Sequence, residues 1–192
     1  MRRAAEIRET KETVIQVDLN LDGGAVEIST GIGFFDHMLT AFAVHGGFGL
    51  TVKAKGDLQV DCHHTVEDTG IVLGKAFAKA LGDFSGIRRY GSFYVPMDEA
   101  LVLAVCDLSG RAYLAFQAEF PEERIGTYDS CMTEEFLRAF AVNAGITLHI
   151  KEEYGKNSHH ITEAVYKSLG HALKEAVTRS GGENPLSTNG DL

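Results

Sequence analysis

Two apolar rhythms alternate along the chain, one of period two and one near 3.6, and the switches between them mark its elements. Thr13 to Leu19 (TVIQVDL) alternates as a half-buried strand does, and Leu21-Asp22-Gly23-Gly24 supplies the turn after it. Ala25 to Thr30 resumes the strand pattern. Helical spacing then runs from His37 to about His45, with Asp36 as the expected N-cap and Gly46-Gly47 as the stop. Phe48 to Ala54 reads as a strand, Gly56-Asp57 as a turn, and about His64 to Leu81 as a long amphipathic helix. Past Gly82-Asp83-Phe84-Ser85-Gly86 the order recurs, with strands at 92–95, 100–108 and 112–120. A helix near 133–143, a strand at 147–153 and a helix over 159–178 follow. The expected class is α+β, a βββαβα order occurring twice with helices on one face of each sheet. The expected division is a half-repeat over 1–86, a second over 87–180 and a tail over 181–192. The Gly, Ser, Asn and Pro content of that tail marks it as flexible or ordered by ligand.

The recurrence extends to residue identity. Leu39-Thr40-Ala41-Phe42-Ala43-Val44-His45 is echoed by Leu137-Arg138-Ala139-Phe140-Ala141-Val142-Asn143, an offset of 98 that also pairs Gly47 with Gly145 and Leu50 with Leu148. At an offset of 96, Asp61-Cys62-His63-His64-Thr65-Val66-Glu67 is matched by Asn157-Ser158-His159-His160-Ile161-Thr162-Glu163. Both read His-His-x-x-Glu. The offset of 98 sets His37 opposite Glu135, and an offset of 87 sets Glu12 opposite Glu99 at the start of each main strand. This is the signature of a duplicated half-domain carrying two pseudo-equivalent metal sites.

Residues four apart share a helix face, so His63 pairs with Glu67 and His159 with Glu163. Adjacent histidines point about 100° apart around the axis, so each His-His pair is expected to serve two ions. The residues alone give His63, Glu67 and His160 for one ion, and His159, Glu163 and His64 for the other. His37 and Glu135 are left to complete either set. Imidazole and carboxylate without thiolate suit Mn, Fe, Co or Zn, and many ligands per ion favour six-coordinate Mn. Among the few basic residues, Arg88-Arg89, Arg111 and Lys167 are candidates for a phosphate clamp, Lys167 lying one turn beyond Glu163. For a lone histidine a satisfied or solvated side chain is the commoner role, and the doubled motif is what raises these above it. For any one of the basic residues solvated surface charge stays the commoner role, and only together do they suggest a clamp.

Composition narrows the class. With 44% hydrophobic and 23% charged residues, the chain is an ordinary globular one. A net charge of −9 argues against a general nucleic-acid surface and leaves anion binding to a local basic pocket. No segment reads as membrane-spanning or as a signal peptide. The three cysteines are odd in number and form no CxxC, as expected of thiols in a reducing, cytoplasmic setting.

Phe35-Asp36-His37-Met38-Leu39, the two His-His motifs, Pro96-Met97-Asp98-Glu99-Ala100, Asp107-Leu108-Ser109-Gly110-Arg111 and Gly155-Lys156-Asn157 together resemble the imidazoleglycerol-phosphate dehydratases of histidine biosynthesis. The resemblance spans nearly the whole chain. It implies a fold like the second domain of ribosomal protein S5, two Mn2+ per active site, and a homo-oligomer of about twenty-four subunits with sites at subunit contacts. One ion would take His37, His64, His159 and Glu163, the other His63, Glu67, His160 and Glu135. Glu135 stands where the family carries histidine, and Asn189 where its tail offers lysine. Phosphate contacts map to Arg89, Arg111, Lys167, Ser187, Thr188 and Asn189. Glu12 and His45 map to substrate contacts, as do His37, His63, Glu67 and His159 beside the ring. The catalytic carboxylates would be Glu12, Glu67 and Glu163, with Glu12 favoured for taking the proton.

The chemistry explains this inventory. The reaction must expel a hydroxyl next to an imidazole ring and take a proton from a carbon that is not acidic. Cations flanking the ring favour imidazolate, which pushes the hydroxyl out through a diazafulvene-like species and makes the neighbouring proton removable. Two other classes fit the ligands: a dinuclear hydrolase of phosphate esters, and a non-catalytic metal-binding shell, which needs no Arg and Lys set.

Overall fold

The computed structural model describes residues 2–182 and 184–188. Its first half runs β1 (Arg3–Glu9), β2 (Thr13–Asn20), β3 (Val26–Ser29), α1 (Gly33–Gly46), β4 (Gly49–Gly56) and α2 (His63–Leu81). The second runs β5 (Tyr90–Met97), β6 (Ala100–Leu108), β7 (Tyr113–Gln117), the short pair β8 (Arg124–Ile125) and β9 (Tyr128–Asp129), α3 (Met132–Ala144), β10 (Ile146–Tyr154) and α4 (Ser158–Ala176). The sheets are ordered β1-β2-β4-β3 and β5-β6-β10-β7. In each the last strand pairs in parallel and the others antiparallel. The internally duplicated α+β class expected from the sequence is the observed one.

Alternation decides which face of each sheet is covered. Ile15, Val17 and Leu19 on β2, and Val102, Ala104, Cys106 and Leu108 on β6, are buried beneath helices. α2 lies on β1 and β2, and α4 on β5 and β6. The two helical layers then face each other, α2 against α3 and α1 against α4, so each contact joins one half to the other.

Glycines allow these helices their close approach. A Cβ at Gly170 would stand 2.6 Å from the Phe42 carbonyl oxygen, and one at Gly74 2.7 Å from that of Phe140. These contacts correspond under the repeat offsets, Gly74 to Gly170 by 96 and Phe42 to Phe140 by 98. The pseudo-twofold thus reaches the spacing of the helix pairs. α1 and α3 both stop at a left-handed glycine, Gly47 at φ 68° and Gly145 at φ 66°.

Several boundaries differ from expectation, each for a local reason. α1 begins at Gly33, a turn before His37, and Asp36 is no N-cap. Its carboxylate turns back to accept from the Thr30 backbone N–H at 2.8 Å and the Thr30 hydroxyl at 2.5 Å. β1 has no apolar rhythm because, beyond Ala4, its inward positions are polar: Glu6 meets Lys79 and Arg8 meets Asp68, while outward Ile7 is 68% exposed. An edge strand secured by ion pairs to α2 leaves no hydrophobic signal. The β8–β9 pair lies where the repeat offset rises from 87 to 98, in residues that the first half lacks.

Candidate metal centre

α1 and α4 run side by side from their N-terminal ends, which brings His37 onto the first turns of α4. Asn157 caps α4, its side chain accepting the N–H groups of His159 and His160 at 2.9 and 3.2 Å. At the equivalent turn of α2, Asp61 accepts the N–H of His63 at 2.8 Å, while the N-cap position itself is Cys62, which makes no capping bond. Both His-His pairs therefore leave the first helical turn in fixed directions.

Among the described residues, His37, His159 and Glu163 form a group whose ligand atoms all lie within 4.8 Å of one another. His159 Nε2 and His37 Nε2 stand 3.2 and 3.6 Å from Glu163 Oε2. Cis ligands at about 2.1 Å from a hard octahedral ion stand about 3 Å apart, so each histidine lies from Glu163 at close to the separation of two ligands of one ion. Phe34 packs edge-on against the His159 ring, at 4.9 Å between centroids. Glu163 is buried, which works to raise its pKa, but Lys167 Nζ at 2.7 Å from Oε1, with His37 and His159, holds it below the usual carboxylate value.

On α2 the counterpart pair, His63 and Glu67, stands at 3.3 Å, and Glu135 occupies the first turn of the neighbouring α3. His64 and His160 go elsewhere. His64 is not part of the His37 group, and His63, Glu67, His160 and Glu135 form no second such group among the described residues. Neither four-ligand set is therefore gathered within one chain, because α2 packs on α3 while α4 packs on α1. Each leftover histidine is anchored through Nδ1: His64 to Asp57 Oδ2 at 3.0 Å, His160 to Glu99 Oε2 at 2.7 Å. Those carboxylates raise both imidazole pKa values, and His160 with nearby backbone N–H groups pulls Glu99 down to about 2. A histidine held at Nδ1 by a carboxylate keeps Nε2 for another partner, the arrangement of a metal ligand with its orienting acid; His160 Nε2 stands 3.6 Å from Asp98 Oδ2. Glu12 stands 3.8 Å from His64.

The basic candidates divide into two places. Arg89, at φ 72° and 7% exposed, donates from Nε and Nη2 to the two oxygens of Asp107 at 2.6 and 3.0 Å. Its Nη1 donates to the Leu186 carbonyl at 2.6 Å, so the tail folds onto it and brings Ser187 and Thr188 into the neighbourhood. Asn189 lies outside the described residues. Arg111 reaches Asp107 at 3.4 Å with most of its side chain in solvent. Lys167 instead sits with Glu163, in the His37 group.

His45 Nδ1 meets His171 Nε2 at 3.0 Å, with the Phe93 ring stacked on His171 at 4.1 Å. Burial first, then Lys167, depresses the His45 pKa. His171 and Asp57 were not singled out from the sequence, since one lies on a helix face and the other in a turn; Asp107 entered only as part of the motif that ends at Arg111, with no role of its own. The repeat offset that finds Glu99 from Glu12 does not lead to Asp57.

Fold and donor set define a class: an internally duplicated α+β protein with an imidazole–carboxylate group of metal-binding type. The sequence profile of the imidazoleglycerol-phosphate dehydratases matches residues 30–173. The chain belongs to that family, and by that membership it is a hydro-lyase. It is 58% identical over 187 residues to the imidazoleglycerol-phosphate dehydratase of Acetivibrio thermocellus, covering 96% of each chain. With that of Carboxydothermus hydrogenoformans it shares 56% over 191 residues, 99% of each. The crystal structure of the Staphylococcus aureus dehydratase superposes with a TM-score of 0.85 at 40% identity, covering 92% of this chain and 99% of that one. The Pyrococcus furiosus enzyme in complex with (S)-C348 gives 0.85 at 37%, covering 97% and 100%. No helix among the described residues is long and apolar enough to cross a membrane.

Proposed function

We propose that the chain removes water from D-erythro-imidazole-glycerol phosphate to give imidazole-acetol phosphate, a cytoplasmic step of histidine biosynthesis. The observation that carries this reading is the His37, His159 and Glu163 group, in a chain whose motif histidines His64 and His160 are anchored at Nδ1 by carboxylates. Each chain would hold three ligands of one ion in this group, and His64 of a neighbouring copy would supply the fourth. His63 and Glu67, 3.3 Å apart, would hold the second ion, with Glu135 drawn in from the neighbouring α3 and His160 from a neighbouring copy. Sites at subunit contacts of a homo-oligomer, twenty-four subunits by family resemblance, follow from that division.

When bound, two Mn2+ ions per site would stabilise the imidazolate form of the ring, from which the hydroxyl departs through a diazafulvene-like species. The protein's own residues do the rest. His37, His63, Glu67 and His159 flank the ring, and Glu67 and Glu163 act through the ions they hold. Arg89, Arg111, Lys167 and the tail residues Ser187, Thr188 and Asn189 grip the phosphate, and His45 adds a further contact. Glu12, 54% exposed beside His64, takes the proton from the carbon that lacks acidity. The enol so formed collapses to the ketone.

Product analysis on Mn-loaded protein tests this reading. A ketone that retains its phosphate is the expected product. Release of inorganic phosphate with the glycerol chain intact would assign a hydrolase instead.

A further inference from the structure

Glu12 and Glu99 are equivalent under the repeat, yet the two halves treat them differently. Glu99 is locked: it accepts from His160 Nδ1 and from the N–H groups of Lys156 and Asn157 at 3.2 and 2.9 Å. In the first half the anchoring of the equivalent histidine has passed to Asp57, from another position in the fold. The Glu12 carboxylate is thereby released, with His64 at 3.8 Å as its neighbour.

The backbone of Glu12, by contrast, is held firmly. The Thr10 hydroxyl accepts the N–H groups of Glu12 and Thr13 at 3.1 and 3.0 Å. The buried Thr13 hydroxyl donates to Asp68 Oδ2, and the buried Asp68 takes Arg8 Nε on its other oxygen at 2.8 Å. Asp68 follows Glu67 on α2, so this strut ties Glu12 to the helix that carries His63, His64 and Glu67. Under offsets of 87 and 96, the second half places Val95, Ala100 and Ala164 where the first has Arg8, Thr13 and Asp68. Apolar packing suffices there to hold the strand on the helix. The polar strut occurs only in the half whose acid is free.

We propose that Asp68, acting through the Thr13 hydroxyl, is a positioning residue that sets Glu12 against the substrate carbon from which the proton is taken. This rests on the reading of Glu12 as the base. The test uses Mn-loaded Thr13→Val, Thr13→Ser, Asp68→Asn and Glu12→Gln proteins, with substrate deuterated at that carbon and its unlabelled form. Thr13→Val is the gentler probe, since valine suits a strand. Thr13→Val and Asp68→Asn should each lower kcat about tenfold, with KM and metal content unchanged and a larger deuterium isotope effect. Thr13→Ser, which keeps the hydroxyl, should restore turnover and isotope effect, and Glu12→Gln should abolish turnover. A fully active Glu12→Gln protein would overturn the base reading and the strut with it. An inactive Glu12→Gln beside a Thr13→Val protein of normal kcat and isotope effect would overturn the positioning role alone. So would a loss of rate that merely tracks lost metal or lost fold.

Discussion

Asp107→Asn removes the carboxylate beneath Arg89 while keeping its shape. In the native chain the guanidinium spans both oxygens at 2.6 and 3.0 Å, with side-chain exposures of 9% for Arg89 and 16% for Asp107. An asparagine can offer its oxygen to one N–H and must turn an NH2 toward the other. Severing one partner of a buried ion pair costs about 3–5 kcal/mol, because the remaining charge is left uncompensated. Arg89 would keep the Leu186 carbonyl, which places the expected loss near the lower end, about 3 kcal/mol. For a chain of this size that is a fall in Tm of about 6–12 °C. The assay is thermal or urea unfolding at fixed protein and metal concentration, since both shift apparent stability. A double-mutant cycle with Arg89→Met should return a coupling of at least about 1 kcal/mol. The pH dependence has a definite sign. Burial raises the Asp107 pKa, but Arg89 overcomes it and leaves the net value below the ordinary one. Its contribution is therefore full above the unfolded pKa, about 3.9, and fades as pH falls through the lower folded value. The gap between native and variant should narrow only in acid. A loss under about 0.5 kcal/mol, or a gap that widens on acidification, would refute the reasoning.

Three further outcomes are expected. Glu135→Ala should lose the ion held by His63 and Glu67 before the other, whereas Glu135→His should keep both and remain active, since imidazole and carboxylate both suit Mn; metal stoichiometry per subunit decides. Two ions retained at normal affinity in Glu135→Ala would make Glu135 an ordinary helix-surface carboxylate. Arg111→Ala should raise KM by the loss of one charge-assisted contact, on the order of 1.5–3 kcal/mol, with metal content unchanged, and an unaltered KM would make this largely exposed side chain mere solvated surface. Chelation should abolish turnover and loosen the assembly, because the ions would join neighbouring copies; a full-sized, fully active particle on sizing chromatography after metal removal would contradict it.

Much of the fold was legible because duplication gave each element two chances to be read. Both main strands and both long helices carry clear periodicity, and the HHxxE motifs mark where α2 and α4 begin. β1 was not placed, because Glu6 and Arg8 point inward to ionic partners and the apolar rhythm vanishes. At the site, spacing found His159 with Glu163 and His63 with Glu67, since those pairs share a helix face. Pairings across elements were hidden. Nothing in the sequence indicates that His64 turns to Asp57 and His160 to Glu99, or that Arg89 is buried under the tail rather than solvated. Such contacts depend on how strands and loops end beside helices, which periodicity does not encode.

The near-contact of Gly170 with the Phe42 carbonyl has a mechanical consequence. It is a fulcrum: Glu163 lies seven residues before it on α4, about 10 Å along the axis, and His37 five residues before Phe42 on α1, about 7.5 Å. The gap between these helices sets the gap between His37 and Glu163, so the joint works as a caliper whose jaws are the candidate ligands. Adding a methyl at the fulcrum would open the jaws without touching any ligand, and an ion clamped between them would resist that opening. Affinity for the metal and the grip of one half on the other are thus two readings of a single distance.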